Sequence, residues 1–503
     1  MTHARFFHKI GFQVLSQEEK EELKAKKLCH ECVGEDYLRA EIRREGTRRR
    51  CSYCDRTARS YLIEEIAERV EAAFDQHYAR TSDQPTSWQQ TMLSDRESDY
   101  EWDRDGEQTV YAIMNSADMP EVAAEDIQQI LEDKFYDFDS IAMGEETEFS
   151  SDAYYEQKGT SDQAWQEEWR SFERSLKTEA RFFSRAAASH LTAIFNGIDV
   201  MRSRDGRPLV VNAGRGTDFS SVYRARVFQS GDKLEAALCR PDQQLGSPPT
   251  FLASAGRMNA RGISVFYGAS DPTAAIAEVR PPVGSQVAVA QFEIIRPLRL
   301  LDLTALSAVS DGGSVFDPEL AGRLERAMFL RSLSQRITRP VMPDDEAFEY
   351  LATQAVADFL ATEGAVPLDG IIFPSVQAAG AVLNIVLFHK AARVEKVDVP
   401  VGAEISARSG HVEEDGWETE YEVIERVPPT VAEESAERQE TRGWPDFAAL
   451  AVSPWEPVDP DWREPGLRIV ADSVCVHIIR RVQFETDEHR VTRHRWVKRE
   501  PDF

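Results

Sequence analysis

Gly256-Arg257-Met258-Asn259-Ala260-Arg261-Gly262-Ile263-Ser264-Val265-Phe266-Tyr267, followed by Ala274-Ala275-Ile276-Ala277-Glu278-Val279-Arg280-Pro281, is the stretch on which the fold turns. A glycine-bounded polar loop runs into a β-rich segment over 263–267. Asp271-Pro272 then opens a short helix that ends near Glu278. Upstream, Val222-Tyr223-Arg224-Ala225-Arg226 puts an arginine on a strand expected over 221–228. Downstream, Gly370-Ile371-Ile372-Phe373-Pro374-Ser375 is a β run that ends at a serine. Further β-rich runs lie at 286–292 and 298–303, and helical patterns at 317–335 and 345–362. Residues 205–400 therefore read as one α+β domain.

Taken singly, these residues have bland readings. An arginine on a strand is usually an exposed ion pair, a glutamate at a helix end is usually solvated, and a serine after proline can cap the next helix. Taken together, Tyr223-Arg224, the Gly256-Arg257-x-Asn259 loop with Tyr267, Glu278, and Pro374-Ser375 resemble the RES domain, a family named for its Arg, Glu and Ser. The resemblance covers residues 215–395, and the block from Gly256 to Glu278 is its most specific part.

What the resemblance implies is a mixed-sheet fold similar to ADP-ribosyltransferases and cleavage of NAD at its nicotinamide–ribose bond, with water or phosphate as acceptor. Many members of the family act as toxins held in check by an antitoxin, so the expected setting is an intracellular toxin or antiphage defence effector. The physical requirements agree. A diphosphate needs a cation, and a guanidinium grips two oxygens at once, which suits Arg224, with Arg257 as a second candidate. A carboxylate beside the ribose stabilises the oxocarbenium cation, which suits Glu278. Tyr267 can orient the nicotinamide ring, and Ser375 can hydrogen-bond the substrate without acting as a nucleophile. Asn259 and Asn384 complete the expected substrate-binding set. Glu278 and Ser375 lie far apart for a compact RES domain, which points to an insertion near 310–360. The alternatives are transfer of ADP-ribose to a protein, or an inert RES domain beside an RNA-directed helical half.

That half carries its own features. Cys29-His30-Glu31-Cys32 and Cys51-Ser52-Tyr53-Cys54 are two C-x-x-C pairs whose four thiolates suit a closed, structural zinc site within residues 1–60. Residues 16–28 look like a helix capped by Ser16, residues 57–80 and 121–136 like two more, and Ser161–Phe195 like one long amphipathic helix ended by Asn196-Gly197. Within it, Arg185 and His190 form an R-x4-H spacing similar to HEPN domains, all-helical units that can cut RNA across a dimer; the competing reading is a scaffold helix. Residues 61–204 are thus expected to be a helical, HEPN-like domain with an acidic segment, and a homodimer is the expected assembly.

Composition narrows the classes. The chain of 503 residues carries 87 acids against 59 bases, a net charge of −28, and residues 81–157 hold 21 acids against three bases. A field of that sign repels nucleic-acid backbones and anionic lipid surfaces, so nucleic acid is not the expected partner despite the basic run Arg43–Arg50. The sequence contains no apolar run long enough for a membrane span or a signal peptide, so the cytoplasm is the expected location. Residues 401–503 read as a C-terminal extension, irregular over 401–466, that returns a strand to the RES domain within 467–485.

Overall fold

The computed structural model describes residues 16–95, 97–143, 145–179, 184–364, 367–378, 380–413, 416–428, 461–483 and 485–496. Contacts divide the chain into two compact units. The first comprises Met1–Arg170, Met201–Gly206 and Ala308–Leu333; the second comprises Ser171–Val200, Arg207–Ser307 and Ser334–Phe503. No described helix is long and apolar enough to cross a membrane.

In the first unit, Ser16 caps helix Gln17–Lys24 in a reciprocal capping box with Glu19. Residues 57–80, expected as one helix, divide into strand Thr57–Leu62 and helix Ile63–His77. The cause lies in the alternation at the start of the segment. Thr57 and Arg59 are exposed while Ala58 and Ser60 are buried, a period of two, and the helical period begins only at Ile63. Thr57–Leu62 is the central strand of a three-stranded antiparallel sheet, between Lys27–Cys29 and Thr47–Arg50. Helix Glu121–Lys134 forms as expected and packs on Ile63–His77. Phe74, Tyr78, Phe149 and Tyr155 make an aromatic cluster in the core of this unit.

The span Ser161–Phe195 holds two described helices, Gln163–Thr178 and Arg185–Phe195, rather than one; residues 180–183 lie outside the described residues. Asn196 caps the second helix, and Gly197 follows with φ +65°, the left-handed conformation that glycine reaches without strain.

The second unit is built on a nine-stranded mixed sheet, so the α+β reading holds. Its strand order is Leu467–Ile469, Gln286–Ile294, Ser221–Phe228, Phe266–Ala269, Leu383–Leu387, Gly370–Pro374, Leu298–Asp302, Val210–Ala213, with Cys475–Ile478 also paired to Gln286–Ile294. Among the described strands of this sheet, Leu298–Asp302 and Gly370–Pro374 form the one parallel pair. A parallel pair cannot be closed by a hairpin and needs a crossover. The long gap between Glu278 and Ser375 is mainly this crossover, which carries helices Leu320–Thr338 and Glu346–Thr362. Gln286–Ile294 is buried along most of its length because the sheet is covered on both faces. Val222, Phe266, Phe292, Leu300 and Ile385 pack on one face, and Ala225, Ala269, Ala274, Val287 and Val289 on the other. Helix Pro272–Glu278 sits on that second face, started by Pro272 and by the Asp271 carboxylate accepting from Ala274 N at 3.0 Å.

The C-terminal extension is more regular than expected. Glu404–Arg408 pairs with Glu422–Arg426, and His411–Glu413 with Gly416–Glu418. Ile405 and Ala407 are only half-buried, and the charged residues around them mask the alternation. Residues 429–460 lie outside the described residues. Leu467–Ile469 and Cys475–Ile478, separated by the turn Ala471–Ser473, both return to the sheet at Gln286–Ile294.

Candidate active site

Sheet register brings the polar residues together. Tyr223, beside Arg224, lies opposite Ala269; Ala269 in turn lies opposite Asn384, and Asn384 opposite Phe373, two residues before Ser375. Glu278, the last residue of helix Pro272–Glu278, faces the same place. The strands and helix surround a cavity of about 380 Å³ in the second unit, within the size range of small-molecule sites. Arg224, Arg257, Tyr267, Glu278 and Asn384 all line it. Ser375 and Asn259 do not, although Pro374 and Val376 on either side of the serine do.

Ser375 reaches the site through Glu278. Its Oγ donates to Glu278 Oε1 at 2.7 Å, and Asn384 Nδ2 donates to the same oxygen at 2.7 Å. Gln377 N donates to Ser375 Oγ at 3.2 Å and fixes the rotor. The carboxylate fixes the Asn384 amide too, because only its NH2 edge can face that oxygen. Two consequences follow. Both bonds fall on Oε1 of the exposed Glu278 and leave Oε2 facing outward without either donor, and Asn384 Oδ1 is buried without a partner, on a residue 5 % exposed. An acceptor in that state is a cost to the fold unless a ligand donor satisfies it.

Arg224 is the complementary anomaly. Its Nη1 is buried without a partner, and no carboxylate among the described residues pairs with it. The guanidinium lies over the Phe266 ring, 4.9 Å from the centroid. Burial, aided by the neighbouring charge of Arg226, pulls its pKa down to about 10. A desolvated cation without a counter-charge marks a place for an anion.

The Gly256 loop is knotted behind the cavity wall. Asn259 is 3 % exposed, and its Nδ2 lies at 2.9, 3.2 and 3.0 Å from the carbonyls of Ser254, Ala260 and Ile263. Its Oδ1 accepts from Tyr267 Oη at 2.9 Å, and Tyr267 Oη accepts from Met258 N at 3.0 Å. Burial pushes the Tyr267 phenol up to about 12, so it stays a neutral donor. The asparagine, expected at the substrate, is instead committed to the shape of the loop that carries Arg257. Gly256 is required there on steric grounds: a Cβ would stand 2.6 Å from Tyr267 Oη and 2.8 Å from Asn259 Oδ1.

The crossover supplies a wall that no sequence feature announced. Thr338, Pro340, Val341, Glu346 and Tyr350 line the cavity. Thr353 Oγ1 donates to Arg257 O at 2.7 Å, Gln354 Nε2 to Gly256 O at 2.8 Å, and Arg257 Nη1 to Ile337 O at 2.6 Å. Arg280, also in the lining, has φ +44° directly before Pro281, a strained conformation two residues from Glu278.

In the first unit, Cys29, Cys32, Cys51 and Cys54 come together with all four Sγ atoms within 4.8 Å of one another, a group that could hold a metal ion. The Sγ separations are 3.7 Å for Cys29–Cys32, 3.6 Å for Cys29–Cys54 and 3.9 Å for Cys32–Cys51. The knuckle is tied to helix Glu121–Lys134 by Tyr53 Oη donating to Asp126 at 2.6 Å, with Lys26 on the same carboxylate at 2.7 Å. Arg48, Arg49 and Arg50 of the basic run lie on the exposed strand Thr47–Arg50. Arg185 is exposed at the start of its helix, and His190 packs its ring 5.6 Å from that of Phe172.

Residues 234–408 match the family model of the RES domain, so the chain carries a RES domain; the match falls in the second unit except for Ala308–Leu333. That domain family supports an enzymatic role connected with NAD. No curated protein matches the chain. No solved structure matches it either.

Proposed function

We propose that the second unit cleaves the nicotinamide–ribose bond of NAD, with water or phosphate as acceptor, and acts on the cellular NAD pool as a toxin or defence effector. The observation that carries this reading is the pairing, in one cavity, of a desolvated guanidinium without a counter-charge and a carboxylate with one free oxygen.

Arg224 takes the diphosphate, exchanging an uncompensated buried charge for a charge-assisted, bidentate contact. Glu278 Oε1 is held by Ser375 and Asn384, which leaves Oε2 to face the nicotinamide-side ribose. As the C1′–N bond breaks, its electron pair leaves with nicotinamide and positive charge builds on the ribose, where the fixed carboxylate stabilises it. An oxygen of water or phosphate then bonds to C1′, and the proton lost when water is the acceptor passes to solvent. Asn384 Oδ1 accepts from the substrate, the carboxamide or a ribose hydroxyl. Ser375 is a positioning residue: its hydroxyl is spent on holding Glu278 Oε1, the carboxylate that serves the ribose.

For the cysteine group we propose structural zinc. Sulfur ligands at about 2.3 Å in a tetrahedron stand about 3.8 Å apart, which the three Sγ separations match. Four thiolates close the sphere, so Cys29, Cys32, Cys51 and Cys54 would hold the ion as a folding element rather than a catalyst.

Nicotinamide release from NAD by the purified chain, with and without phosphate, tests the main reading. Release that falls by about a thousandfold in Glu278→Gln supports it, the scale of removing a fixed transition-state contact. No release overturns it, and label from NAD appearing on protein favours ADP-ribosyl transfer instead.

A further inference from the structure

We propose that Glu346, contributed by the crossover, is the residue by which the cavity rejects 2′-phosphorylated dinucleotides and selects NAD over NADP. The inference rests on the NAD reading above.

The cavity is lined by two glutamates, Glu278 and Glu346, in separate surroundings. Glu278 is held by Ser375 and Asn384 at the ends of two strands. Glu346 belongs to the opening turn of helix Glu346–Thr362, where its Oε1 accepts from Tyr350 Oη at 3.1 Å. The Tyr350 ring lies 5.1 Å below the Arg257 guanidinium. Arg257 is held in turn by Ile337 O at its guanidinium and by Thr353 at its backbone carbonyl, which ties Glu346, Tyr350 and Arg257 into one linked wall. Glu346 Oε2 has no hydrogen-bond partner among the described residues.

Charge decides what such a carboxylate can meet. A dinucleotide has an anionic diphosphate at its centre, a cationic nicotinamide ring on the ribose at one end, and a neutral adenosine at the other, both ends rich in hydrogen-bond donors. A carboxylate beside the diphosphate would repel it, so both glutamates must serve the ends. The developing cation of the nicotinamide ribose claims Glu278, which leaves the adenosine end to Glu346. There it can accept from the 2′- and 3′-hydroxyls. A 2′-phosphate removes the donor and brings like charge against the carboxylate, an attractive and a repulsive element acting in the same direction.

The test is steady-state nicotinamide release from NAD and from NADP by the full chain and by Glu346→Gln, Glu346→Asp and Tyr350→Phe. Wild type should favour NAD by at least about tenfold in kcat/KM, the usual worth of one well-placed polar discrimination. Glu346→Gln should shrink that ratio by about tenfold, chiefly through KM. Glu346→Asp should keep most of it, and Tyr350→Phe should lower it in part. The assignment is overturned if wild type releases nicotinamide but Glu346→Gln leaves the NAD:NADP ratio unchanged. It is also overturned if Glu346→Gln lowers kcat equally on both dinucleotides with KM unmoved, which would make Glu346 a general base for water. Absence of release from either dinucleotide by wild type instead sinks the parent reading first, a separate result.

Discussion

Replacing Arg224 by methionine should make the ligand-free protein more stable and its site useless. Burial holds the Arg224 guanidinium at a pKa of about 10, against 12.5 for the free group. The folded state therefore disfavours the charge by about 3 kcal/mol at neutral pH, from roughly 1.4 kcal/mol per pKa unit. The sign is that of a cation with a depressed folded pKa: the penalty is fully present below pH 10 and fades as pH rises from 10 toward 12.5. Methionine fills much of the same space without charge but loses the contact with the Phe266 ring, which subtracts about 1 kcal/mol. The expected net gain is about 1–2 kcal/mol in urea denaturation of the ligand-free chain. In the same variant, stabilisation by added NAD or ADP-ribose should vanish, and KM for NAD should rise by a hundredfold or more, the cost of a lost charge-assisted phosphate contact of roughly 3 kcal/mol. In wild type, ADP-ribose affinity should fall as pH passes 10. A variant that is less stable than wild type and still binds ADP-ribose would refute the reasoning, because Arg224 would then be compensated within the fold.

Cys29→Ser and Cys51→Ser should each abolish binding of about one zinc per chain, measured by metal analysis, and should lower the unfolding temperature, since both sulfurs are buried in the knuckle. Retained stoichiometric zinc in both variants would exclude the four-sulfur site. Asn259→Ala should destabilise the protein by about 2–4 kcal/mol, because it strands buried carbonyls and the Tyr267 hydroxyl. In residual folded protein it should raise KM by loosening Arg257; an unchanged melting temperature would show that the loop does not depend on it.

Much of the second unit was legible because its strands obey local rules. Ser221–Phe228, Gly370–Pro374 and the helix at Glu346–Thr362 follow from apolar runs, turn residues and period. The cavity-lining residues Arg224 and Glu278 stand out only jointly, since a lone arginine or glutamate has no sequence mark that separates it from a surface residue. Long-range partnership was not legible. Nothing in Leu383–Leu387 announces a strand between Phe266–Ala269 and Gly370–Pro374, yet that placement sets Asn384 beside Glu278. The wall of Glu346 and Tyr350 was hidden for the same reason, because a crossover's landing place depends on tertiary packing. Asn259 is the reverse case: residue type alone does not separate a polar side chain that faces a ligand from one that bonds its own loop, as this one does. Thr57–Leu62 was lost to the helix that follows, because three short strands round a cysteine knuckle leave too few residues to show their period.

The parallel pairing of Leu298–Asp302 with Gly370–Pro374 also sets the order in which the site can come into being. Glu278 and Ser375 are 97 residues apart, and the strand that carries Asn384 ends only at Leu387. A growing chain that has reached Pro374 contains Glu278 and Arg224 but neither hydrogen-bond donor that holds the Glu278 carboxylate. Closing a loop of that length is slow compared with local helix and hairpin formation. The strands Leu467–Ile469 and Cys475–Ile478, which flank Gln286–Ile294, are synthesised later still. In a chain that stops short of Asn384, Glu278 has at most one of the two donors that hold its carboxylate, so the constellation is complete only with the finished sheet.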